Sequence, residues 1–185
     1  MDSETKGAVA KLKESLASTE RNERVLALEV RPKKYGFAVL EGPDALLDWG
    51  IRSYRKGQLV STSEVDSLLQ SYAPHSVVIR RRKHNSQRAA NAARSVIAKI
   101  RIEAGQHSAE TRFVSGRKIR RLFERYGCTN KHQIASLLAE WFDEIRWKLP
   151  TKRRPWQSER YNTLLFDALA TGIAFFAHII DGPTL

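Results

Sequence analysis

Two acidic side chains occur inside apolar segments of this chain. Glu29 lies in the run from Arg24 to Val30, which has the length and composition of a buried strand. Asp167 lies in the apolar run from Leu164 to Phe176, which has the length of a helix. An ionised carboxylate in an apolar environment is costly unless a cation, a metal ion or hydrogen bonds compensate it. The two acids therefore predict a shared cation site at the centre of the fold.

The net charge of +12 is concentrated in the middle of the sequence. Residues 1–79 contain 11 basic and 11 acidic residues, whereas residues 80–160 contain 21 basic and 7 acidic residues. Such a block is typical of a polyanion-binding surface, and a solvated basic surface is the alternative. The candidate nucleic-acid contacts are the basic residues that cluster in this block, namely Arg80, Arg81, Arg82, Lys83, Arg117, Arg120, Arg153 and Arg154.

Composition limits the class of protein. A length of 185 residues with 42% hydrophobic and 28% charged residues is typical of a single globular domain. The only cysteine, Cys128, excludes an internal disulfide framework. No secretory signal is visible, and the longest apolar stretch, 13 residues from Ala168 to Ile180, is too short to span a bilayer. We expect a cytoplasmic protein with no membrane partner.

Apolar periodicity predicts the elements that must position the two acids. Strands are predicted at residues 24–30, 35–40, 46–54, 75–79 and 111–114, and helices near residues 65–69, 87–103, 116–126, 130–143 and 158–178. Gly127 suits the end of one helix, and Asn130 with Gln133 suits the start of the next. The order βββαβαβα predicts an α/β fold with a mixed sheet and helices on its faces. We expect a tail or short helix over residues 1–22 and one domain over residues 23–185.

Three motifs resemble the RuvC-like (Holliday junction resolvase-like) branch of the ribonuclease H-like superfamily. The segment from Ala27 to Leu40 is similar to the family's first hairpin, in which an acid ends the first strand and a glycine-containing strand follows. The segment from Gly127 to Ile134 looks like the glycine-then-lysine segment that opens a helix, and Phe166 to Ala170 matches the Asp-Ala-Leu-Ala element of the final helix. The resemblance implies a ribonuclease H-like mixed five-stranded sheet with helices on both faces.

The resemblance also implies metal-dependent chemistry on nucleic acid. Enzymes of this family hold two divalent cations, one of which generates the attacking hydroxide while the other stabilises the leaving 3′ oxygen. Mg²⁺ or Mn²⁺ suits such an all-oxygen site. By position, Glu29 and Asp167 match two catalytic, metal-binding acids, and Lys131 and Arg120 match phosphate-contacting lysines. The implied partner is structured DNA such as a Holliday junction, and the implied assembly is a homodimer.

Two positions depart from the family pattern. Arg80 stands where the family has an acid after the fourth strand, and Leu164 stands where it has a second helix acid. Glu159, eight residues before Asp167, is the candidate replacement for a catalytic acid. An arginine in place of a bridging carboxylate would repel Mg²⁺ and could pair with Glu29 or Asp167. Alternatively, Arg80 points outward and begins the phosphate-binding face.

Three functions remain open from the sequence. The first is a Mg²⁺-dependent, structure-specific endodeoxyribonuclease with an incomplete carboxylate set, although Arg80 and Leu164 argue against full activity. The second is a catalytically silent DNA- or RNA-binding module, in which Arg80 replaces the metal charge. Glu29 itself is either a metal ligand or a structural acid, with Arg80 as the candidate partner. The third is a basic component that binds an acidic protein. Trp156 is a candidate for stacking on a base.

Overall fold

Five strands form one mixed sheet in this computed structural model, which describes residues 3–17, 22–53, 63–82, 86–150 and 162–180. The strands are β1 (Arg24–Val30), β2 (Lys34–Glu41), β3 (Ala45–Ser53), β4 (Ser76–Arg81) and β5 (Glu110–Ser115). Their order across the sheet is β3-β2-β1-β4-β5. The first three strands are antiparallel neighbours, whereas β4 runs parallel to β1 and β5 runs parallel to β4. The predicted meander and mixed five-stranded sheet are confirmed.

Helices cover both faces of the sheet, as predicted. The described ranges contain α1 (Ser3–Leu16), α2 (Ser63–Tyr72), α3 (Gln87–Gln106), α4 (Gly116–Glu124), α5 (Lys131–Trp141), α6 (Thr163–Ile180) and a 3₁₀-helix (Asp143–Lys148). Helices α1, α4, α5 and α6 share one hydrophobic core with the sheet, and α6 lies directly on β1 and β2. Helices α2 and α3 share a second core with the opposite face. None of the helices in the described ranges has the combination of length and hydropathy that a membrane-spanning helix needs.

Strand β1 is buried on both faces, which explains its almost continuous apolar sequence. Val25 belongs to the core under α6, whereas Leu26 and Leu28 belong to the core under α2 and α3. Because successive side chains of a strand alternate between faces, Glu29 points to the same face as Val25. The acid is therefore directed toward α6, at the end of the central strand.

Helix α6 approaches the sheet closely at Gly172. A Cβ atom at this position would overlap the Leu40 side chain and would lie 3.2 Å from the Ala27 Cβ. Glycine thus allows the helix backbone to rest on β1 and β2. Asp167, five residues earlier in α6, is held above the end of β1 where Glu29 lies.

The connection between α4 and α5 is fixed by the predicted caps. Gly127 follows α4 with a φ of +79°, a conformation that favours glycine. The Asn130 side chain accepts a hydrogen bond from the Gln133 backbone N–H at 3.0 Å, and the Gln133 side chain accepts one from the Thr129 N–H at 2.8 Å. This reciprocal capping sets the first residue of α5, which is Lys131.

Some boundaries differ from the predicted ones. Strand β4 continues to Arg81 rather than ending at residue 79, because Arg80 and Arg81 pair with Val114 and Ser115 of β5. The N-terminal segment forms helix α1, which packs against α5, and the 3₁₀-helix was not predicted. The predicted start of the last helix at residue 158 lies outside the described residues.

Candidate functional site

Among the described residues, four basic side chains surround the two predicted acids. Glu29 is fully buried at the end of β1, and Asp167 is buried in α6. The basic residues come from the ends of three elements: Arg31 follows β1, Arg80 and Arg82 lie at the end of β4, and Lys131 begins α5. We call these six residues the central cluster.

Arg80 bridges the two acids. Its Nη1 donates a hydrogen bond to Asp167 Oδ1 at 2.9 Å, and its Nε lies 3.7 Å from Glu29 Oε2. The parallel register of β1 and β4 pairs Leu28 with Ile79, which brings the next residues, Glu29 and Arg80, alongside each other. Of the two sequence interpretations of Arg80, the structure supports the paired one.

Arg31 forms a second bridge between the acids. Its Nε donates to Glu29 Oε1 at 2.9 Å, and its Nη2 donates to Asp167 Oδ2 at 3.4 Å. Sequence reasoning missed this residue, although it is two positions after Glu29. Side chains two residues apart in a strand point to the same face, and this spacing could have identified Arg31.

Each acid also contacts one further cation. Arg82 Nη1 donates to Glu29 Oε1 at 3.2 Å, and Lys131 Nζ donates to Asp167 Oδ2 at 2.8 Å. Among the described residues, the central cluster thus combines four cations with two carboxylates, which is a formal surplus of two positive charges within these six residues. An excess of positive charge at a partly open site favours the binding of an anion.

The environment of Glu29 disfavours its ionised form. Burial raises the pKa of Glu29 above its ordinary value, and the nearby charge of Asp167 raises it further. The guanidinium groups of Arg80, Arg31 and Arg82 act in the opposite direction, but the net direction is upward. Glu29 Oε2 accepts no hydrogen bond from the described residues, and Arg80 Nε lies 3.7 Å from it.

The central cluster does not fit the divalent metal site that the sequence resemblance implied. Mg²⁺ requires an octahedral set of oxygen ligands. Three of the four carboxylate oxygens of Glu29 and Asp167 already accept hydrogen bonds from cations. The described part of the chain contains no group of three or more His, Cys, Asp or Glu side chains that could hold a metal ion. The surplus positive charge would also repel a divalent cation.

A small pocket of about 80 Å³ opens beside the central cluster. Arg80, Asp167 and Lys131 line it together with Arg120, an exposed residue of α4. The two residues matched by resemblance to phosphate-contacting lysines, Arg120 and Lys131, therefore lie at the same opening. Arg117 is exposed in the first turn of α4.

The remaining predicted residues fall into two groups. Arg81 points away from the central cluster and lies over the ring of Phe113, with 5.2 Å from its Cζ to the ring centroid. The residues outside the described ranges are Lys83, Arg153, Arg154, Trp156 and Glu159. The predicted functional roles of all these residues stay predictions.

Comparison with known proteins identifies the fold. No protein-family model matches the chain, and no curated protein matches it. It is structurally similar to RuvC of Thermus thermophilus in complex with a Holliday junction substrate, with a TM-score of 0.67 and 13% identity over 86% of this chain and 96% of that chain. A second Thermus thermophilus RuvC structure gives a TM-score of 0.62 and 16% identity over 83% of this chain and 93% of that chain.

The yeast mitochondrial Holliday junction resolvase Ydc2 is also similar. Its TM-score is 0.58, with 12% identity over 91% of this chain and 86% of that chain. At these identities the similarity shows the fold alone. The chain has the ribonuclease H-like fold, with structural similarity to Holliday junction resolvases, as the three sequence motifs predicted.

Proposed function

We propose that this protein binds nucleic acid by phosphate contacts that need no metal ion, and that it does not hydrolyse the phosphodiester. The observation that carries this proposal is the bridging of Glu29 and Asp167 by Arg80 and Arg31. Positive side chains here take the place between two acids that divalent cations occupy in a two-metal site. The preferred ligand is branched or otherwise structured DNA, by similarity of fold to the resolvases.

The distribution of charge supports binding of a polyanion. The central cluster carries a surplus of two positive charges, and Arg120 lines the adjoining pocket. Residues 80–160 hold 21 of the 32 basic residues of the chain. Arginine is well suited to this role because its planar guanidinium presents several donors to phosphate oxygens.

The chemistry of arginine argues against hydrolysis at the central cluster. A guanidinium can stabilise the negative charge of a phosphate, as a metal ion does. It cannot lower the pKa of a bound water to near neutrality, which is how a metal ion generates hydroxide. A guanidinium also keeps its proton at neutral pH, so it does not serve as a general base. The expected result is binding without cleavage.

A four-way DNA junction tests the proposal directly. The labelled junction and a linear duplex of the same base composition are incubated with the protein in Mg²⁺, in Mn²⁺ and in EDTA. We expect binding to persist in EDTA and to be no tighter in Mg²⁺ or Mn²⁺, because divalent cations compete for the phosphates. We also expect tighter binding to the junction than to the duplex, and no cleaved product. Cleavage that requires Mg²⁺ or Mn²⁺ and disappears in Asp167→Asn would instead identify an endonuclease. Failure to bind DNA or RNA would favour an acidic protein partner.

Homodimerisation and a cytoplasmic location stay predictions. Sedimentation of the protein alone and with the junction would determine whether one or two copies bind each junction.

A further inference from the structure

A second pocket, of about 340 Å³, lies beyond the central cluster at the ends of β4 and β5. Four arginines line it, namely Arg80, Arg81, Arg82 and Arg94. Among the described residues, the rest of its lining is apolar, including Ile97 of α3 and Phe113 of β5, and contains no acidic residue. We call it the arginine pocket. A site with this lining combines a surface for an apolar, planar group with attraction for an anion.

Arg81 and Phe113 form the planar part of the arginine pocket. Phe113 pairs with Ile79 across β4 and β5, so Arg81, two residues further along β4, is its diagonal neighbour on the same face. The guanidinium of Arg81 lies over the Phe113 ring, and Phe113 is 36% exposed. The pair thus presents a guanidinium group beside a partly exposed aromatic ring.

Two arginines of this pocket, Arg81 and Arg94, differ from the cations of the central cluster, each of which contacts an acid. In the part of the chain that the structure describes, no carboxylate forms an ion pair with Arg81 or Arg94. Arg94 donates instead to the neutral amide oxygen of Asn91 at 2.8 Å. Both side chains are exposed on the outside of the fold. They can contact an anionic ligand without first breaking an ion pair.

We propose that the arginine pocket holds one unpaired nucleotide of the bound nucleic acid. The base stacks on the Arg81–Phe113 pair, and Arg94 contacts the adjoining phosphate. Unstacked bases pack on aromatic rings and on guanidinium planes, whereas bases inside a duplex are already stacked and unavailable to a pocket. This inference rests on the proposed function and specifies which nucleotides the protein prefers.

The location of the pocket supports a continuous path for one strand. Arg80 and Arg82 belong to the central cluster and also line the arginine pocket. A strand whose phosphates contact the central cluster therefore reaches the pocket without leaving the protein surface. Unpaired nucleotides occur at bulges, at strand ends and at distorted branch points, so the two sites together favour structured over regular duplex DNA.

The test uses a duplex with one bulged 2-aminopurine and the same duplex fully paired. We expect the wild-type protein to bind the bulged duplex about tenfold more tightly, and to change the 2-aminopurine emission, as stacking of one base predicts. Arg81→Lys keeps the positive charge but removes the planar guanidinium group. Phe113→Leu keeps an apolar side chain but removes the aromatic ring. Both variants should weaken binding to the bulged duplex by more than they weaken binding to the paired duplex, so that the preference is lost.

Arg101→Gln is the matched control for Arg94→Gln. Arg101 is an exposed residue of α3, seven positions after Arg94 and therefore about 10 Å further along the helix. Arg94→Gln should weaken binding to the bulged duplex more than to the paired one, whereas Arg101→Gln should affect the two equally. Urea denaturation of every variant confirms that the fold is intact.

The possible failures are distinguishable. If the wild type binds both duplexes equally, or if Arg81→Lys and Phe113→Leu keep the preference, the pocket assignment is wrong while nucleic-acid binding stands. If the protein binds neither duplex nor the junction, the proposed function itself is wrong. Binding of a polyglutamate peptide that Arg81→Gln abolishes, with the bulge preference intact in the same variant, would assign the pocket to an acidic protein instead.

Discussion

Gly36 lies against the backbone carbonyl of Leu164, in the first turn of α6. A Cβ atom at Gly36 would overlap this carbonyl group. Gly36 is also the cross-strand partner of Glu29 in the antiparallel pair of β1 and β2. The glycine opposite the first acid therefore allows α6 to approach the sheet, and Asp167, one turn after Leu164, reaches the central cluster. The absence of a side chain at Gly36 thus allows β2 and α6, which are distant in sequence, to pack closely against each other.

Replacing Gly36 with alanine should disturb the contact between β2 and the first turn of α6. We expect Gly36→Ala to lower the free energy of unfolding by about 1–3 kcal/mol, because α6 must shift away from the sheet. Gly105→Ala is the matched control, since Gly105 lies in α3 and no atom would contact its added Cβ within 4 Å. Alanine there should be neutral or stabilising by up to about 1 kcal/mol. Urea denaturation measures both changes, and equal losses would show that α6 does not depend on Gly36.

The sequence predicted the sheet and the two acids but only part of their surroundings. The spacing of apolar residues predicts both the strands around Glu29 and the helix around Asp167, because each element places its own apolar side chains in the core. The sequence does not determine whether Arg80 pairs with an acid, because the alternation of side chains in β4 does not show which strand is its neighbour. That choice follows from the parallel register of β1 and β4, which joins residues 51 positions apart in the pair Leu28 and Ile79.

The contact of Lys131 with Asp167 also depends on tertiary packing. Capping residues predicted where α5 begins, but not that this helix would direct its first side chain toward α6. The resemblance suggested a phosphate contact for Lys131, whereas the structure gives it an ion pair with a buried acid. Local sequence patterns therefore predicted the helices and strands. Which cations surround Glu29 and Asp167 could be determined only from the assembled fold.

Removal of the Arg80 side-chain charge should destabilise the protein. Arg80→Met leaves two buried acids with fewer compensating charges, and breaking a buried pair by removing one partner costs about 3–5 kcal/mol. We expect a loss near the lower end of this range, because Arg31 and Lys131 still contact Asp167. The free energy of unfolding in urea at neutral pH measures the loss.

Arg112→Met provides the comparison for Arg80→Met. Arg112 pairs with Glu110 on the surface, where both side chains are more than half exposed. An exposed pair of this kind contributes about 0–1 kcal/mol. If the two substitutions cost the same, the ion pairs of the central cluster contribute no more to stability than a surface pair. In the double variant Arg80→Met with Asp167→Asn, we expect a smaller loss than the two single losses combined, because the residues interact directly.

The raised pKa of Glu29 predicts how stability depends on pH. The folded protein holds a proton on Glu29 at pH values where the unfolded chain, with a pKa near 4.5, has released it. The contribution of this group is therefore fully present below about pH 4.5 and is lost as pH rises through the pKa of the folded state. The free energy of unfolding of wild type relative to Glu29→Gln should fall as pH increases above 4.5. A difference that stays constant, or that increases with pH, would contradict the upward direction of the shift.

The salt dependence of DNA binding should identify which cations contact phosphates. Each phosphate contact on duplex DNA contributes about 0.9 to the slope of log K against log salt concentration. Arg120 is exposed beside the central cluster, so Arg120→Gln should weaken junction binding and reduce this slope by about one. Lys11→Gln removes an equal charge from an exposed position on α1 and should leave the slope unchanged. If both substitutions reduce the slope equally, the affinity for DNA depends only on the net charge of the protein. In that case α4 and the start of α5 do not form the DNA-binding surface.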